Sequence, residues 1–131
     1  MKAFIIEDDL MMSECVERAL EQALPTLDNH VEQEHKILKI TNAIEAMSLL
    51  NEDLPDLIFL DILLNGPDGF SFLNELISYD DTAKIPVVIM TSLNLEKYDL
   101  GHYNIKHIFQ KETMTPQQIV EVALEILQDA A

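Results

Sequence analysis

Five short runs of apolar residues alternate along the chain with longer stretches in which apolar residues recur every three or four positions. The runs predict β-strands at residues 3–7, 36–40, 57–61, 87–90 and 105–109. Strands separated by helical stretches are typical of strand–helix units repeated on a parallel sheet. The pattern therefore predicts an α/β fold.

The charged residues within the runs indicate which strands lie at the edges of the sheet. The first, third and fourth runs are continuously apolar until they end, as expected for strands covered on both faces. The second run contains Lys36 and Lys39, and the fifth contains Lys106 and His107. We therefore expect the second and fifth strands to form the two edges.

Capping residues mark the starts of several helices. Asp9 precedes the first helical stretch, and Asn42 with Glu45 resembles a capping box. A third helix is marked by apolar residues at Phe70, Leu73 and Ile77. The last helix has the strongest start, with an N-cap, a proline at the first helical position and a capping partner in Thr115-Pro116-x-Gln118.

Two connections are less clearly patterned. Residues 93–102 carry only Leu95, Tyr98 and Leu100 as an apolar stripe before Gly101, which offers a C-cap. We expect a short or mobile helix there, which brings the predicted helices to five. Residues 26–35 are polar and acidic, and we expect them to form a surface loop.

Length and composition limit the domain organisation. The 131 residues, 48% of them hydrophobic, suffice for one compact domain, residues 1–131, and are too few for two ordinary ones. No apolar stretch approaches the ~18 residues of a membrane span, and no signal peptide is recognisable. The only cysteine, Cys15, rules out an internal disulfide. We expect a cytoplasmic protein without membrane insertion.

The charge balance is strongly acidic. Twenty-four acidic against eight basic residues give a formal net charge of −16. Such a surface repels the phosphate backbone that supplies most of the affinity for nucleic acids. We therefore expect no direct contact with DNA or RNA.

Acidic residues stand at the ends of two predicted strands. Glu7 and Asp8 close the first run, and Asp61 closes the third. Side chains at the carboxyl ends of parallel strands face a common crevice, so these carboxylates should converge. Carboxylates ~4 Å apart repel by roughly 4 kcal/mol per pair at an effective dielectric constant near 20, unless a cation offsets the repulsion. The sequence therefore predicts a cation site.

A capping role is the alternative for the first acidic run, because carboxylates also complement a helix dipole. A cap, however, needs no partner from another strand such as Asp61. We assign Asp9 to the cap and keep it outside the predicted site. Thr91 and Lys111 follow the fourth and fifth runs at the same rim, which makes the site one for phosphate and cation together.

At this rim the chain resembles the receiver domain of two-component response regulators, and the resemblance spans essentially the whole chain. It is carried by the order, spacing and strand-end placement of the motifs Ile6-Glu7-Asp8-Asp9, Phe59-Leu60-Asp61, Asp68-Gly69-Phe70, Val88-Ile89-Met90-Thr91-Ser92 and Phe109-Gln110-Lys111. It implies a flavodoxin-like, doubly wound sheet of five parallel strands in the order 2-1-3-4-5, with helices on both faces in a three-layer arrangement.

The resemblance also implies roles for the rim residues. Asp61 resembles the phospho-acceptor, a carboxylate nucleophile that takes a phosphoryl group from a phosphohistidine and becomes an acyl phosphate. Thr91 would donate its hydroxyl to a phosphoryl oxygen, and Lys111 would balance the remaining charge. Such a module phosphorylates and dephosphorylates itself and is not a turnover enzyme.

The same resemblance implies a Mg²⁺ site. Glu7 and Asp8 resemble the acidic pair that holds the ion, with Asp61 and the backbone carbonyl of Leu63 completing the protein ligands. Oxygen ligands alone around a hard ion suit Mg²⁺ better than zinc.

The expected partners are a histidine kinase or a histidine phosphotransfer protein, and a downstream protein target in a phosphorelay. The chain ends near its last predicted helix, so we expect a stand-alone receiver, a monomer or weak dimer, that signals through protein contact.

Three positions depart from the family pattern. Glu112 stands where many receivers have a proline after the lysine, and Asn65 stands where a proline often follows the acceptor. Ile108 replaces the tyrosine or phenylalanine whose rotamer reports activation, while Phe109 should point to the opposite face of its strand. These departures put the switching behaviour in doubt and leave the predicted chemistry unchanged.

The residues argue against three competing functions. A pseudo-receiver would use the fold for binding alone, as Ile108 and Glu112 allow, but the intact acids and Lys111 argue against it. A phosphatase with an aspartate nucleophile would need an acid/base carboxylate where this chain has Leu63. A flavodoxin-like cofactor binder would need a phosphate-binding loop where the first strand ends in acids.

Overall fold

The computed structural model describes residues 1–27 and 35–129, and it contains one five-stranded parallel sheet in the order β2-β1-β3-β4-β5. The strands are β1 (Lys2–Ile6), β2 (Lys36–Ile40), β3 (Leu57–Asp61), β4 (Val87–Thr91) and β5 (Ile105–Gln110). The predicted strands, their order and the two edge positions are confirmed. The ends of β1, β4 and β5 differ by one residue from the prediction.

Helices cover both faces of this sheet. They are α1 (Leu10–Ala23), α2 (Ala43–Leu50), α3 (Gly69–Ile77), α4 (Asp80–Ala83) and α5 (Pro116–Asp129), with a 3₁₀ turn at Leu24–Leu27. The apolar residues of α1 and α5 pack on one face, and those of α2 and α3 pack on the other. The result is the flavodoxin-like, three-layer α/β architecture expected from the sequence.

The central strands supply most of the two cores. Every residue of β3 and β4 is buried, as their continuously apolar sequences require. Phe4 and Ile6 of β1 point to the core beneath α2 and α3, whereas Ile5 points to the core beneath α1 and α5. This alternation fixes the strand register and holds the carboxyl ends of the central strands at one rim.

The predicted caps are present. The Asp9 carboxylate accepts a hydrogen bond from the Met11 amide at 2.9 Å at the start of α1. At α5, the Thr115 amide donates to the Gln118 side-chain oxygen at 3.0 Å, and the Gln118 amide donates to the Thr115 hydroxyl at 3.2 Å. Local sequence thus determines where these helices begin.

The helix expected at residues 93–102 is a wrong prediction, because residues 92–104 form turns and bends. Two side chains here bond to the amides two residues ahead, Asn94 to Glu96 at 3.0 Å and Asp99 to Gly101 at 3.2 Å. Such bonds offer the backbone an alternative to helical hydrogen bonding. The fifth helix is instead α4, which the sequence pattern did not predict.

The loop predicted at residues 26–35 lies mostly outside the described residues. Within the described ranges, no helix combines the length and the apolar character that crossing a bilayer requires.

Candidate functional site

Three carboxylates meet at the carboxyl rim of the sheet. Glu7 and Asp8 follow β1, Asp61 is the last residue of β3, and one ligand oxygen from each lies within 4.8 Å of the others. Glu7 is 1% exposed and Asp61 is 2% exposed, whereas Asp8 faces solvent. The predicted convergence of these side chains is confirmed, and the cluster can hold a metal ion.

Lys111 reaches into this cluster from the end of β5. Its Nζ lies 2.6 Å from Glu7 Oε1 and 3.0 Å from Asp61 Oδ2. One ammonium thus bridges the two buried carboxylates. With three carboxylates against one lysine, the ionised group keeps two negative charges, which is the charge that a divalent cation would balance.

The pKa values reflect this crowding. Burial raises the pKa of Glu7 to about 7, and nearby Asp61 adds to the rise while Lys111 opposes it. Burial lowers the pKa of Lys111, but its hydrogen bonds to Glu7 and Asp61 outweigh that effect and raise the pKa above its ordinary value. The lysine is therefore held firmly in its charged form.

The backbone after β3 orients the carboxylates. The Leu63 amide donates to Asp61 Oδ1 at 3.2 Å, and the Asn65 amide donates to Asp8 Oδ2 at 3.3 Å. The Leu63 side chain is 52% exposed at the mouth of the site. The turn that contains Leu63 and Asn65 thus joins the acids of β1 to the acid of β3.

Gly69 allows α3 to pack close behind Asp61. The positive φ in this segment belongs to Gly66, at 80°, and not to Gly69. A Cβ on Gly69 would instead lie 2.6 Å from the Asp61 carbonyl oxygen and 2.7 Å from Ile62 Cα. Gly69 is required by close backbone approach.

Thr91 is fully buried at the end of β4, with 0% exposure. Its hydroxyl oxygen accepts a hydrogen bond from the Leu93 amide at 3.0 Å, and its carbonyl accepts one from the Lys111 amide at 3.0 Å. These bonds tie the rim to the connection that follows β4. Donation by this hydroxyl to a phosphoryl oxygen stays a prediction.

Sequence reasoning missed the contacts that hold the β4–β5 connection, residues 92–104. The Gln110 side chain donates from Nε2 to the Leu93 carbonyl at 3.1 Å, and the Tyr103 hydroxyl donates to Asn74 Oδ1 at 2.6 Å. The rings of Phe70 and Tyr98 stack with centroids 5.0 Å apart. Strand alternation places Gln110 on the face opposite Phe109, which was the one available signal.

The departures from the family pattern have structural counterparts. Phe109 is buried beneath α1 and α5, and Ile108 is 37% exposed on the opposite face, as alternation predicts. Glu112 accepts hydrogen bonds from its own amide and from the Ser92 hydroxyl, which lower its pKa. The described residues contain no cis peptide bond.

The chain belongs to the response regulator receiver domain family, whose model matches residues 3–122. Receiver domains are signalling modules of two-component systems, and a phosphorylated aspartate and Mg²⁺ are features of this family.

Individual relatives agree with this assignment. The chain is 25% identical over 124 residues to a probable transcriptional regulator, ycf29, of Porphyra purpurea, and the match covers 94% of this chain and 54% of that one. The chain spans about half the length of the curated relatives it matches first.

Two solved structures share the fold. The Mn²⁺-bound form of response regulator Rcp1 gives a TM-score of 0.71 at 22% identity, covering 95% of this chain and 90% of that one. The phosphorylated cyanobacterial phytochrome response regulator RcpA gives 0.70 at 23% identity, covering 97% and 91%.

Proposed function

We propose that this chain, residues 1–131, is one stand-alone receiver domain that accepts a phosphoryl group on Asp61 from a phosphohistidine, with Mg²⁺, and then signals by protein contact. The observation that carries the proposal is the placement of Asp61. Its carboxylate is 2% exposed, lies 3.0 Å from the Lys111 ammonium and shares a ligand cluster with Glu7 and Asp8.

Asp61 supplies the nucleophile. A carboxylate oxygen would attack the phosphorus, the bond from phosphorus to the histidine nitrogen would break, and the imidazole would leave with its electron pair and take a proton. The product is an acyl phosphate on Asp61. Phosphoryl transfer is mostly positioning and charge neutralisation, so a preorganised pocket suffices.

The oxygen-only donor set of the cluster fits Mg²⁺, because the cluster carries two uncompensated negative charges when all three carboxylates are ionised. Glu7, Asp8, Asp61 and the carbonyl of Leu63 would hold the ion, which would neutralise charge on the phosphoryl oxygens. Lys111 already contacts Asp61 and would pair with the added phosphate charge. Thr91 would turn its hydroxyl proton toward a phosphoryl oxygen.

The known structures of similar fold support this assignment. Rcp1 was solved with Mn²⁺ bound, and RcpA was solved in phosphorylated form.

Exposed apolar side chains beside the acids fit a protein donor. Leu10 is 65% exposed, Met11 is 81% exposed and Leu63 is 52% exposed around the mouth of the site. A histidine kinase or phosphotransfer protein with an apolar surface would bury them as it presents its phosphohistidine. We place the exchange in the cytoplasm, with the receiver a monomer or weak dimer that later meets a downstream protein target.

Labelling by acetyl phosphate in Mg²⁺ tests the proposal. We expect an added phosphoryl group by intact-mass spectrometry on the wild type and on Asp9→Asn, since Asn preserves the helix cap and Asp9 lies outside the cluster. Asp61→Asn should lose the label. Labelling that survives in Asp61→Asn, or a wild type that never labels although it is folded, would contradict the proposal and favour an interaction module without chemistry.

A further inference from the structure

A second surface feature lies at the amino ends of the strands, opposite the rim that holds Asp61. A groove of about 520 Å³ runs between the carboxyl ends of α2 and α3. We name it the α2–α3 groove, and the residues that matter for recognition are Leu50, Leu54, Tyr79, Glu52, Glu75 and Asp81. The groove lies at the amino ends of the strands, because Lys2 at the start of β1 forms an ion pair with Asp53, which lines the groove.

The groove is apolar at its floor and acidic along its walls. Leu50 is nearly buried, whereas Leu54 is 37% exposed and Tyr79 is 59% exposed. Four carboxylates, those of Glu52, Asp53, Glu75 and Asp81, line it, and none of the described lining residues is a lysine or arginine.

Three of these four carboxylates lack a cationic partner among the described residues. Within residues 1–27 and 35–129, Glu52, Glu75 and Asp81 form no ion pair. They are also not a metal cluster, because the one group of three or more potential ligands found in the described chain is the rim cluster. Both observations favour a cationic partner with several separated charges.

The ion pair between Lys2 and Asp53 shows how a lysine side chain can bind at the α2–α3 groove. Its ammonium contacts the Asp53 carboxylate while its side chain is only 15% exposed, so the aliphatic stem is covered and the charge is paired. Lysine and arginine side chains on a partner can do the same along the groove, with their stems on Leu54 and their charges near the carboxylates. The exposed ring of Tyr79 adds a cation–π partner.

We propose that the α2–α3 groove is a docking site for a basic, amphipathic segment of a partner protein. The apolar side of the segment would cover Leu54 and Tyr79, and its cations would pair with the acidic walls. Acidic phospholipid and nucleic acid are disfavoured by the same walls. Because the groove and Asp61 lie at opposite ends of the strands, docking here does not depend on the phosphoryl chemistry.

A defined probe tests this with the full chain. Helical peptides of about 15 residues that alternate Lys and Leu at helical spacing would be titrated into ¹⁵N-labelled protein at about 0.15 M salt. We expect amide shifts concentrated at residues 47–54 and 75–82. Peptides with Ser in place of Leu, or Glu in place of Lys, should bind weakly or not at all.

Matched variants separate the groove from the general acidic surface. Asp81→Lys should weaken peptide binding roughly tenfold, whereas Glu21→Lys, an equal charge change at an exposed position of α1, should weaken it less than about twofold. Tyr79→Ser should also weaken binding, since it removes apolar contact without altering charge.

Three outcomes would overturn the proposal: shifts spread over the whole surface, equal effects of Asp81→Lys and Glu21→Lys, or self-association through the groove in sedimentation experiments. Because acetyl phosphate labelling of Asp61 is a separate readout, failure of the groove proposal would leave the proposed function untouched.

Discussion

Gly69 is the residue through which the packing of α3 reaches the candidate site. Its Cα faces the Asp61 carbonyl and Ile62 Cα so closely that a Cβ would come within 2.6 and 2.7 Å of these backbone atoms. The Gly69 amide also donates to the Ile62 carbonyl at 2.8 Å, so neither partner is free to move away. The position of the Asp61 backbone therefore depends on the absence of a side chain at residue 69.

We predict that Gly69→Ala lowers the free energy of unfolding by about 1–3 kcal/mol, the usual cost of overpacking, and slows labelling of Asp61. Urea unfolding and the rate of acetyl phosphate labelling measure the two effects. Gly101→Ala is the matched control, because a Cβ there would meet its nearest atom, Asp99 Oδ1, at an ordinary 3.5 Å. Equal stability of the two variants would disprove close approach as the role of Gly69.

At the scale of single residues, strand-end placement predicted the meeting of Glu7, Asp8 and Asp61, because parallel strands must bring their carboxyl ends to one rim. It could not predict that Lys111 bridges Glu7 and Asp61, since a strand-end lysine has many rotamers and solvent competes for its charge. The close backbone approach at Gly69 could not be predicted from the sequence either, because it depends on how α3 packs against the sheet.

At the scale of elements, the β4–β5 connection is the segment most directly tied to the candidate site. Its first hydrogen bond joins the Leu93 amide to the Thr91 hydroxyl at 3.0 Å, and its far end is fixed to α3 by Tyr103 and Asn74. A phosphoryl group that pulled the Thr91 oxygen toward Asp61 would lengthen its bond to the Leu93 amide. The connection would then pass this change toward α3 through the bond between Tyr103 and Asn74.

We predict that Thr91→Ala raises the hydrogen-exchange rate of the Leu93 amide roughly fivefold, the factor that corresponds to loss of a hydrogen bond of about 1 kcal/mol. Thr91→Ser keeps the hydroxyl and should exchange like the wild type. Phosphorylation of the wild type should alter exchange within residues 92–104 and leave α2 unchanged. Exchange that is identical in all three proteins would show that Thr91 does not control the connection.

Element prediction succeeded where the sequence pattern is reinforced by caps or continuous burial, as in β3, α1 and α5. It failed for residues 92–104 and for α4, both of which are decided by short-range side-chain bonds and tertiary contact. The apolar spacing of Leu95, Tyr98 and Leu100 is real, but Leu95 and Leu100 pack on the core from turns and bends, and Tyr98 stacks on Phe70 at the surface. The spacing of apolar residues over ten positions does not distinguish a helix from a series of turns that packs on the same core.

At the scale of the whole molecule, charge is the dominant feature. A formal net charge of −16 on 131 residues favours expansion through self-repulsion, and the buried acids of the rim lie where screening by salt is weakest. Two effects of added cations should therefore be separable. Any salt screens the surface, but only an ion that enters the rim cluster relieves the repulsion among Glu7, Asp8 and Asp61.

We predict that at equal ionic strength MgCl₂ raises the melting temperature above its value in NaCl. A free Mg²⁺ concentration ten times the dissociation constant stabilises the folded state by about 1.4 kcal/mol, or roughly 5 °C for a chain of this size. Asp8→Asn removes one solvent-facing ligand and should abolish most of the difference in melting temperature between MgCl₂ and NaCl, which we call the Mg²⁺ excess. Asp81→Asn makes the same charge change far from the rim and should retain it.

The comparison between these two variants distinguishes site binding from surface screening, because both remove one negative charge and only one removes a rim ligand. If the Mg²⁺ excess is lost equally in both, the stabilisation arises from the overall charge. If it persists in Asp8→Asn and disappears in Asp61→Asn, the ion is held by the two buried carboxylates, and the exposed one only guides its entry. If it is absent from the wild type, the oxygen cluster does not hold Mg²⁺, and the metal-dependent step proposed for Asp61 would be wrong.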